Sequence, residues 1–174
     1  NKAIRQKLVN QTYPFADVYT GIDKTRKRAV SESVISQLYK LNLTDNSSLA
    51  LARDIFILSY CTRGMAFVDI AYLKKENIQN DVICYTRCKT GQLLSIRIES
   101  SIRLIIDRYS SNLSPYVFPI LTSLDIKQSY EEYVTAINNY NRLLKILSKM
   151  LPDSCKLTSY TSRHSWATAA RNHN

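Results

Sequence analysis

Three short segments of the sequence carry side chains that could hold a phosphate. The last of them, TSYTSRHSWAT at residues 158–168, places Arg163 and His164 at the start of a predicted helix. A guanidinium there can lie against a phosphate that also faces the free backbone N–H groups of the helix. An isolated Arg-His pair is more often a surface arginine beside a core histidine, so this segment needs support from the other two.

The other two segments add a lysine, two more arginines and a carboxylate. RCKTGQ places Lys89 at the tip of a predicted hairpin and Arg87 two residues before it, and a long cationic side chain there could reach a reacting phosphate or a leaving-group oxygen. TRGMAFVDIAYL places Arg63 at the end of a predicted buried helix, and Asp69 one short helix later could orient it through a charged hydrogen bond. Taken alone, a hairpin-tip lysine usually serves solubility, and an Arg–Asp pair is as often an ordinary surface pair.

The charge balance favours a polyanionic partner. The sequence has 24 Lys and Arg against 14 Asp and Glu, a formal net charge of +10 at pH 7. Nucleic acid is the leading candidate, because a basic groove gains affinity by releasing counterions from phosphates. The alternative is a solvated basic surface that keeps the protein soluble. A membrane surface is less favoured, since no stretch combines an apolar helical face with one rich in Lys and Arg.

The cysteines and the N-terminal residues indicate no metal centre and no secretion signal. A zinc site can be drawn from Cys84, Cys88 and either histidine, but the spacing is wrong for the common structural motifs, and we predict no metal. NKAIRQKLVN has no apolar signal-peptide core and no run approaches membrane-spanning length, so the cytoplasm is the expected compartment. The four cysteines are expected to be reduced: Cys61, Cys84, Cys88 and Cys155.

Helical periodicity accounts for most of the elements that must position these side chains. Ser31 is a good N-cap for a first helix, and SLALARDIFILSYCT, apolar on several sides, predicts a central second one. A turn at Gly64 and a short helix ending near Leu73 should follow. Further helices are predicted over SSIRLIIDRY, from about Ser129 to Met150, and from near Thr161.

One stretch changes to the period of a strand. VICYTR and LLSIRIE are rich in β-branched and aromatic residues, and Gly91 between them can make the turn, so a β-hairpin is predicted at about residues 82–98. The sequence therefore predicts a mostly helical α+β domain with a small antiparallel sheet.

Taken together and in this order, RGMAFVD, KTG and RHSWAT resemble the catalytic domain of the tyrosine recombinase, or phage-integrase, family. The resemblance covers about Arg28 to the end and is nearest to the integrases of mobile genetic elements in Bacteroidetes-type bacteria. It implies the tyrosine recombinase catalytic core as the fold. It also implies that residues 1–28 are the end of a core-binding domain and a linker, and that residues 29–174 are a catalytic domain lacking its C-terminal part.

The resemblance implies a site-specific recombinase that cleaves and rejoins DNA strands through a 3′-phosphotyrosyl intermediate, without metal or other cofactor. Arg163 and Arg63 would clamp the non-bridging oxygens, and Lys89 would protonate or stabilise the departing oxygen. Tyr160 and His164 would support that cluster. The DNA-binding residues would be Lys89, Arg163 and Arg87. The partner would be double-stranded DNA, and the full-length protein would form a homo-tetramer in the synaptic complex. No association with a membrane is expected.

The sequence departs from the family pattern at three places. The usual first arginine falls at Ala66, for which Arg63 is the expected substitute, and the usual histidine of the second motif falls at Tyr160. All 12 tyrosines precede Arg163, so the nucleophile is expected beyond this chain, which alone should bind DNA without cleaving it. The alternatives are a catalytically inactive DNA-binding module of the same fold, a type IB topoisomerase, and a helical protein-interaction domain with an incidental basic surface.

Overall fold

The computed structural model describes residues 6–7, 28–152 and 155–173. The predicted basic helix at about residues 1–10, and all of the basic run 24–28 except Arg28, lie outside these ranges. Six α-helices and three strands follow one another in the described part: α1 (Glu32–Lys40), α2 (Ser47–Cys61), α3 (Phe67–Ala71), β1 (Ile78–Gln79), β2 (Val82–Thr86), β3 (Leu93–Arg97), α4 (Ser100–Asp107), α5 (Ile126–Met150) and α6 (Thr161–Asn172). This is the mostly helical α+β architecture that the sequence predicts.

Side-chain caps fix where several helices begin. The Ser31 hydroxyl accepts from the Val34 amide at 3.4 Å and starts α1 as predicted. Helix α5 begins at Ile126, earlier than the predicted start near Ser129, because the Asp125 carboxylate accepts from the Gln128 amide at 2.9 Å. The first turn of α5 carries an exposed Ile126 and therefore gave no amphipathic signal.

Helix α2 lies at the centre of the domain. It packs against α1, α3, α4, α5 and α6, and its side chains from Ile55 to Ser59 are all buried. Because it is enclosed on every side, α2 lacks the single apolar stripe of a surface helix. Both ends of α2 therefore have fixed positions relative to the rest of the core.

A buried carboxylate joins α2 to the elements around it. Asp54 is 1% exposed and accepts from Arg53 Nε at 2.9 Å, Arg108 Nη1 at 3.0 Å and the Tyr109 hydroxyl at 2.9 Å. The pKa of Tyr109 is raised well above its usual range, mainly because the phenol is buried and secondly because of the charge of Asp54. Arg53 also donates to the Leu41 carbonyl at 2.6 Å, so the cluster links the α1–α2 loop, α2 and the end of α4.

The sheet is a three-stranded antiparallel meander in the order β1–β2–β3. The predicted hairpin is confirmed: β2 and β3 pair from Val82 with Arg97 to Thr86 with Leu93, and Gly91 in the connecting loop has a φ of +66°. Strand β1 has two residues, too few to show the alternation that predicts a strand. No helix within the described ranges is both long enough and apolar enough to span a membrane.

Candidate functional site

The site begins at the turn between α2 and α3. Arg63 has a φ of +60° and Gly64 a φ of +76°, so two consecutive residues in the left-handed region reverse the chain. The Gly64 amide donates to the Ser59 carbonyl at 2.8 Å and closes the turn. The Arg63 side chain is exposed.

This turn packs directly on the start of α6. The Ser59 and Ser162 hydroxyls are buried and lie 2.8 Å apart, and the Ser59 hydroxyl donates to the Met65 carbonyl at 2.7 Å. A Cβ atom added to Gly64 would lie 3.0 Å from both Cα and Cγ of Arg163. A glycine is therefore required here for two reasons, the positive φ and the close approach of α6. The contact fixes Arg163 beside the turn that carries Arg63.

The first turn of α6 is held from its other side as well. The Thr161 hydroxyl accepts from the Thr158 amide at 3.0 Å, and Asn141 of α5 accepts from the Ser159 amide at 3.1 Å. Tyr160 occupies the N-cap position, makes no capping hydrogen bond and is 59% exposed. Arg163 is half-buried on this framework, whereas His164 is exposed.

Asp69 on α3 holds the hairpin loop. Asp69 is 5% exposed, and its Oδ1 accepts from the Cys88 amide at 2.9 Å. The suggestion that Asp69 orients Arg63 is wrong within the described residues, because neither carboxylate oxygen of Asp69 binds Arg63, whose side chain is exposed. The Oδ2 atom is buried and has no hydrogen-bond partner in the described part of the chain. Lys89, next to Cys88, is exposed.

Three segments of the chain meet around Tyr85, a buried side chain of β2 that the sequence analysis did not single out. Burial raises the pKa of its phenol, as does the charge of Asp69, while the charges of Arg87 and Arg163 lower that pKa. The pKa of Tyr85 therefore responds to charges carried by α3, by the hairpin loop and by the start of α6. The alternation of VICYTR, in which Ile83 and Tyr85 share a face, was the available signal.

A cavity of about 130 Å³ lies next to Arg163, with Ala66, Tyr133 and Tyr160 among its lining residues. Burial raises the pKa of Tyr133, and the neighbouring Tyr160 adds to that rise. The structure thus brings Tyr160 and Arg163 together with Ala66, the position of the missing arginine.

The α2–α3 turn, the hairpin loop and the start of α6 carry four basic side chains, and the short helix after the turn carries one buried acid, Asp69. Arg63 and Lys89 are exposed, and Arg87 and Arg163 are half-buried. The described residues contain no group of three or more His, Cys, Asp and Glu side chains that could hold a metal ion. Fixed cations of this kind can bind a phosphodiester and stabilise negative charge that develops on it.

Comparison with solved structures identifies the fold. The chain is similar to a lambda integrase (residues 75–356) dimer bound to a COC′ core site, with 15% identity and a TM-score of 0.63 over 99% of this chain and 62% of the other. The lambda integrase catalytic core gives 16% identity and a TM-score of 0.58 over 85% and 88%. XerA recombinase gives 14% identity and a TM-score of 0.56 over 99% and 59%.

These likenesses show that the chain has the fold of the tyrosine recombinase catalytic core, as predicted. The chain spans 62% of the lambda integrase structure that comprises residues 75–356. No protein-family model matches the sequence, and no curated protein matches it.

Proposed function

We propose that this chain is the catalytic domain of a tyrosine-type site-specific recombinase or integrase, which cleaves and rejoins DNA strands through a phosphotyrosyl intermediate. Two contacts at one turn carry the proposal. In this fold, the turn after α2 and the first turn of α6 are in such close contact that Gly64 lies against Arg163. The loop that carries Lys89 is hydrogen-bonded to the short helix that follows the same turn.

Each side chain has a role in the proposed chemistry. Arg163 would hold a non-bridging oxygen of the scissile phosphate, and Lys89 would protonate or stabilise the departing 5′-oxygen. Tyr160 and His164, both exposed near Arg163, would donate hydrogen bonds to the phosphate or to its neighbours. Arg63 is the substitute that the sequence offers for the arginine missing at Ala66.

The proposed partner is double-stranded DNA, contacted through Lys89, Arg163 and Arg87. The net charge of +10 supports this partner. Lambda integrase, which has a similar fold, was solved as a dimer bound to a core site and as a tetramer bound to a Holliday junction. By this proposal residues 29–174 belong to the catalytic domain and the full-length protein works as a tetramer. Its setting would be the DNA of a bacterial mobile element.

The nucleophile is expected to lie outside this sequence. All 12 tyrosines precede Arg163, whereas the family places its nucleophile after that arginine. We therefore expect this chain alone to bind DNA and to form no covalent adduct. The second candidate function, an inactive DNA-binding module, is favoured by one observation: alanine lines the cavity at position 66, where the family has an arginine.

The test uses this chain and a fluorescent 30-base-pair duplex that lacks one internal phosphate, leaving a 3′- and a 5′-hydroxyl at the gap. Orthovanadate can replace the missing phosphorus and adopt the five-coordinate geometry of the transition state. A functional cation cluster should then bind the duplex about 100-fold more tightly with vanadate than without it, at the low end for transition-state analogues. We call this ratio of the two affinities the vanadate gain. Arg163→Ala should abolish this gain.

Three outcomes separate the candidates. A vanadate gain that depends on Arg163 supports the recombinase. Affinity that falls steeply with salt but ignores vanadate identifies the inactive DNA-binding module. Affinity that hardly responds to salt contradicts both, because phosphate contacts release counterions.

A further inference from the structure

The β2–β3 loop carries a second arginine whose surroundings differ from those of Arg63. Along β2, Ile83 and Tyr85 are buried, and the alternation continues past the strand end: Thr86 and Cys88 are exposed while Arg87 between them is half-buried. The Arg87 amide donates to the Gln92 carbonyl at 2.8 Å, which extends the ladder by one pair. Arg87 therefore stays in register with Tyr85 and lies on the inner face of the hairpin.

Two contacts bring Arg163 towards the hairpin: Gly64 packs directly on Arg163, and Asp69, on the short helix after that turn, binds the hairpin loop. The charges of Arg87 and Arg163 both act to lower the pKa of the Tyr85 phenol, which burial raises. Two half-buried guanidinium groups thus approach one side chain from different elements, the hairpin loop and α6.

Neither guanidinium is neutralised by a partner in the described part of the chain. The ion pairs formed by described arginines belong to Arg53, Arg97, Arg103 and Arg108, and the side chains of Arg87 and Arg163 donate no hydrogen bond to another described residue. The acid that binds the hairpin loop, Asp69, is engaged through Oδ1 with the Cys88 amide, and its buried Oδ2 accepts from no described donor. A protein rarely holds two like charges together without a counter-ion, so this arrangement indicates an anion that arrives from outside.

The contrast with Arg63 is geometric. Arg63 is exposed and lies in a turn with a φ of +60°, which directs its side chain to solvent. Arg87 is positioned by the ladder pair with Gln92 and by the Asp69 bond to the next residue. Rigid placement matters here, because a fixed cation stabilises developing charge without reorganising during the reaction.

We infer that Arg87, rather than Arg63, supplies the second guanidinium of the phosphate clamp and replaces the arginine missing at Ala66, with Asp69 as the residue that positions its loop. This inference rests on the proposed function. In it, Arg87 and Arg163 each hold a non-bridging oxygen of the scissile phosphate, and Lys89, two residues after Arg87, serves the departing oxygen. Arg63 is left to contact the DNA backbone nearby.

The experiment measures the affinity of single variants for the gapped duplex with and without orthovanadate. Arg87→Ala is expected to bring the vanadate gain from about 100-fold to about 1-fold, because losing one anion-stabilising donor commonly costs a factor of 100 or more. Arg87→Lys keeps the charge but loses the two-pronged geometry, and should keep only part of the gain. Arg97→Ala is the matched control: it removes the same charge from the far end of the same hairpin, and its side chain is 83% exposed.

Arg63→Gly tests the competing assignment, since glycine removes the side chain without straining a positive φ. A lost gain in Arg87→Ala, with the gain kept in Arg63→Gly and Arg97→Ala, supports the inference. A kept gain in Arg87→Ala together with a lost gain in Arg63→Gly overturns it and leaves the proposed function standing. If the unaltered chain shows no vanadate gain, the proposed function itself fails, and the inference fails with it.

Discussion

Replacing Gly64 with alanine should damage both the stability of the domain and the site. A single non-glycine residue in the left-handed region costs about 1–2 kcal/mol. The new Cβ would also lie 3.0 Å from the Arg163 Cα, a backbone atom, so α6 must shift; overpacking of this kind typically costs about 1–3 kcal/mol. The total is about 3 kcal/mol, and each kcal/mol lowers Tm by about 2–4 °C in a domain of this size, which gives a drop of roughly 6–12 °C.

Gly91→Ala is the matched control for this prediction. Gly91 has a φ of +66°, but nothing lies within 4 Å of a Cβ added there. It should therefore lose only the conformational part, about 1–2 kcal/mol. Thermal unfolding followed by circular dichroism gives both values, and the vanadate gain should be lost in Gly64→Ala but kept in Gly91→Ala. Equal losses of stability in the two variants would refute the close contact between the turn and α6.

Three further predictions concern carboxylates. Asp69→Ala should speed hydrogen exchange at the Cys88 amide by about 10- to 100-fold, because a lost buried hydrogen bond is worth about 1–3 kcal/mol, and Asp69→Asn, which keeps an acceptor oxygen, should change it much less. Asp54→Ala should lower the free energy of unfolding by about 1–3 kcal/mol in urea titrations, since it leaves the half-buried Arg53 and Tyr109 without their buried acceptor. Hydrogen bonds from the Thr122 amide and hydroxyl lower the pKa of Glu132, so this carboxylate stabilises the folded chain above its ordinary pKa of 4.5, and that stability is lost as pH falls through the lowered pKa. In Glu132→Gln, the free energy of unfolding measured in urea titrations should therefore fall less steeply as the pH is lowered.

Each of these predictions has a result that contradicts it. Unchanged exchange at Cys88 in Asp69→Ala would mean that the loop is held by other contacts. A small effect of Asp54→Ala would mean that water readily satisfies Arg53 and Tyr109. If Glu132→Gln loses stability at acid pH as steeply as the unaltered chain, that pH dependence belongs to other carboxylates.

Local patterns in the sequence predicted most of the elements, because capping, periodicity and turn chemistry are local. Ser31 as a helix cap and Gly91 as a turn residue are examples, and both are confirmed. The start of α5 was predicted too late, because its first turn is solvent-exposed and only Asp125 marks it.

Contacts between distant segments were harder to foresee. Asp54 sits on the central helix next to Arg53, and nothing in its own segment identifies Arg108 and Tyr109 as its further partners. The direction of Asp69 likewise depends on how the hairpin packs on α3, which the sequence does not show. The motifs that resemble the recombinase family correctly indicated the fold, but the half-burial of Arg87 became visible only when the hairpin was placed against α6.

The buried contact between Ser59 and Ser162 joins residues 103 positions apart, and this separation has a consequence for synthesis. A ribosome that adds about 5–20 residues per second needs roughly 5–20 s to travel between them. During that interval the turn at Gly64 and the hairpin are synthesised, whereas the helix that carries Arg163 does not yet exist. A nascent chain therefore carries Arg63, Arg87 and Lys89 before Arg163 has been made, and under the proposed function the phosphate site forms only once α6 packs on the turn at Gly64.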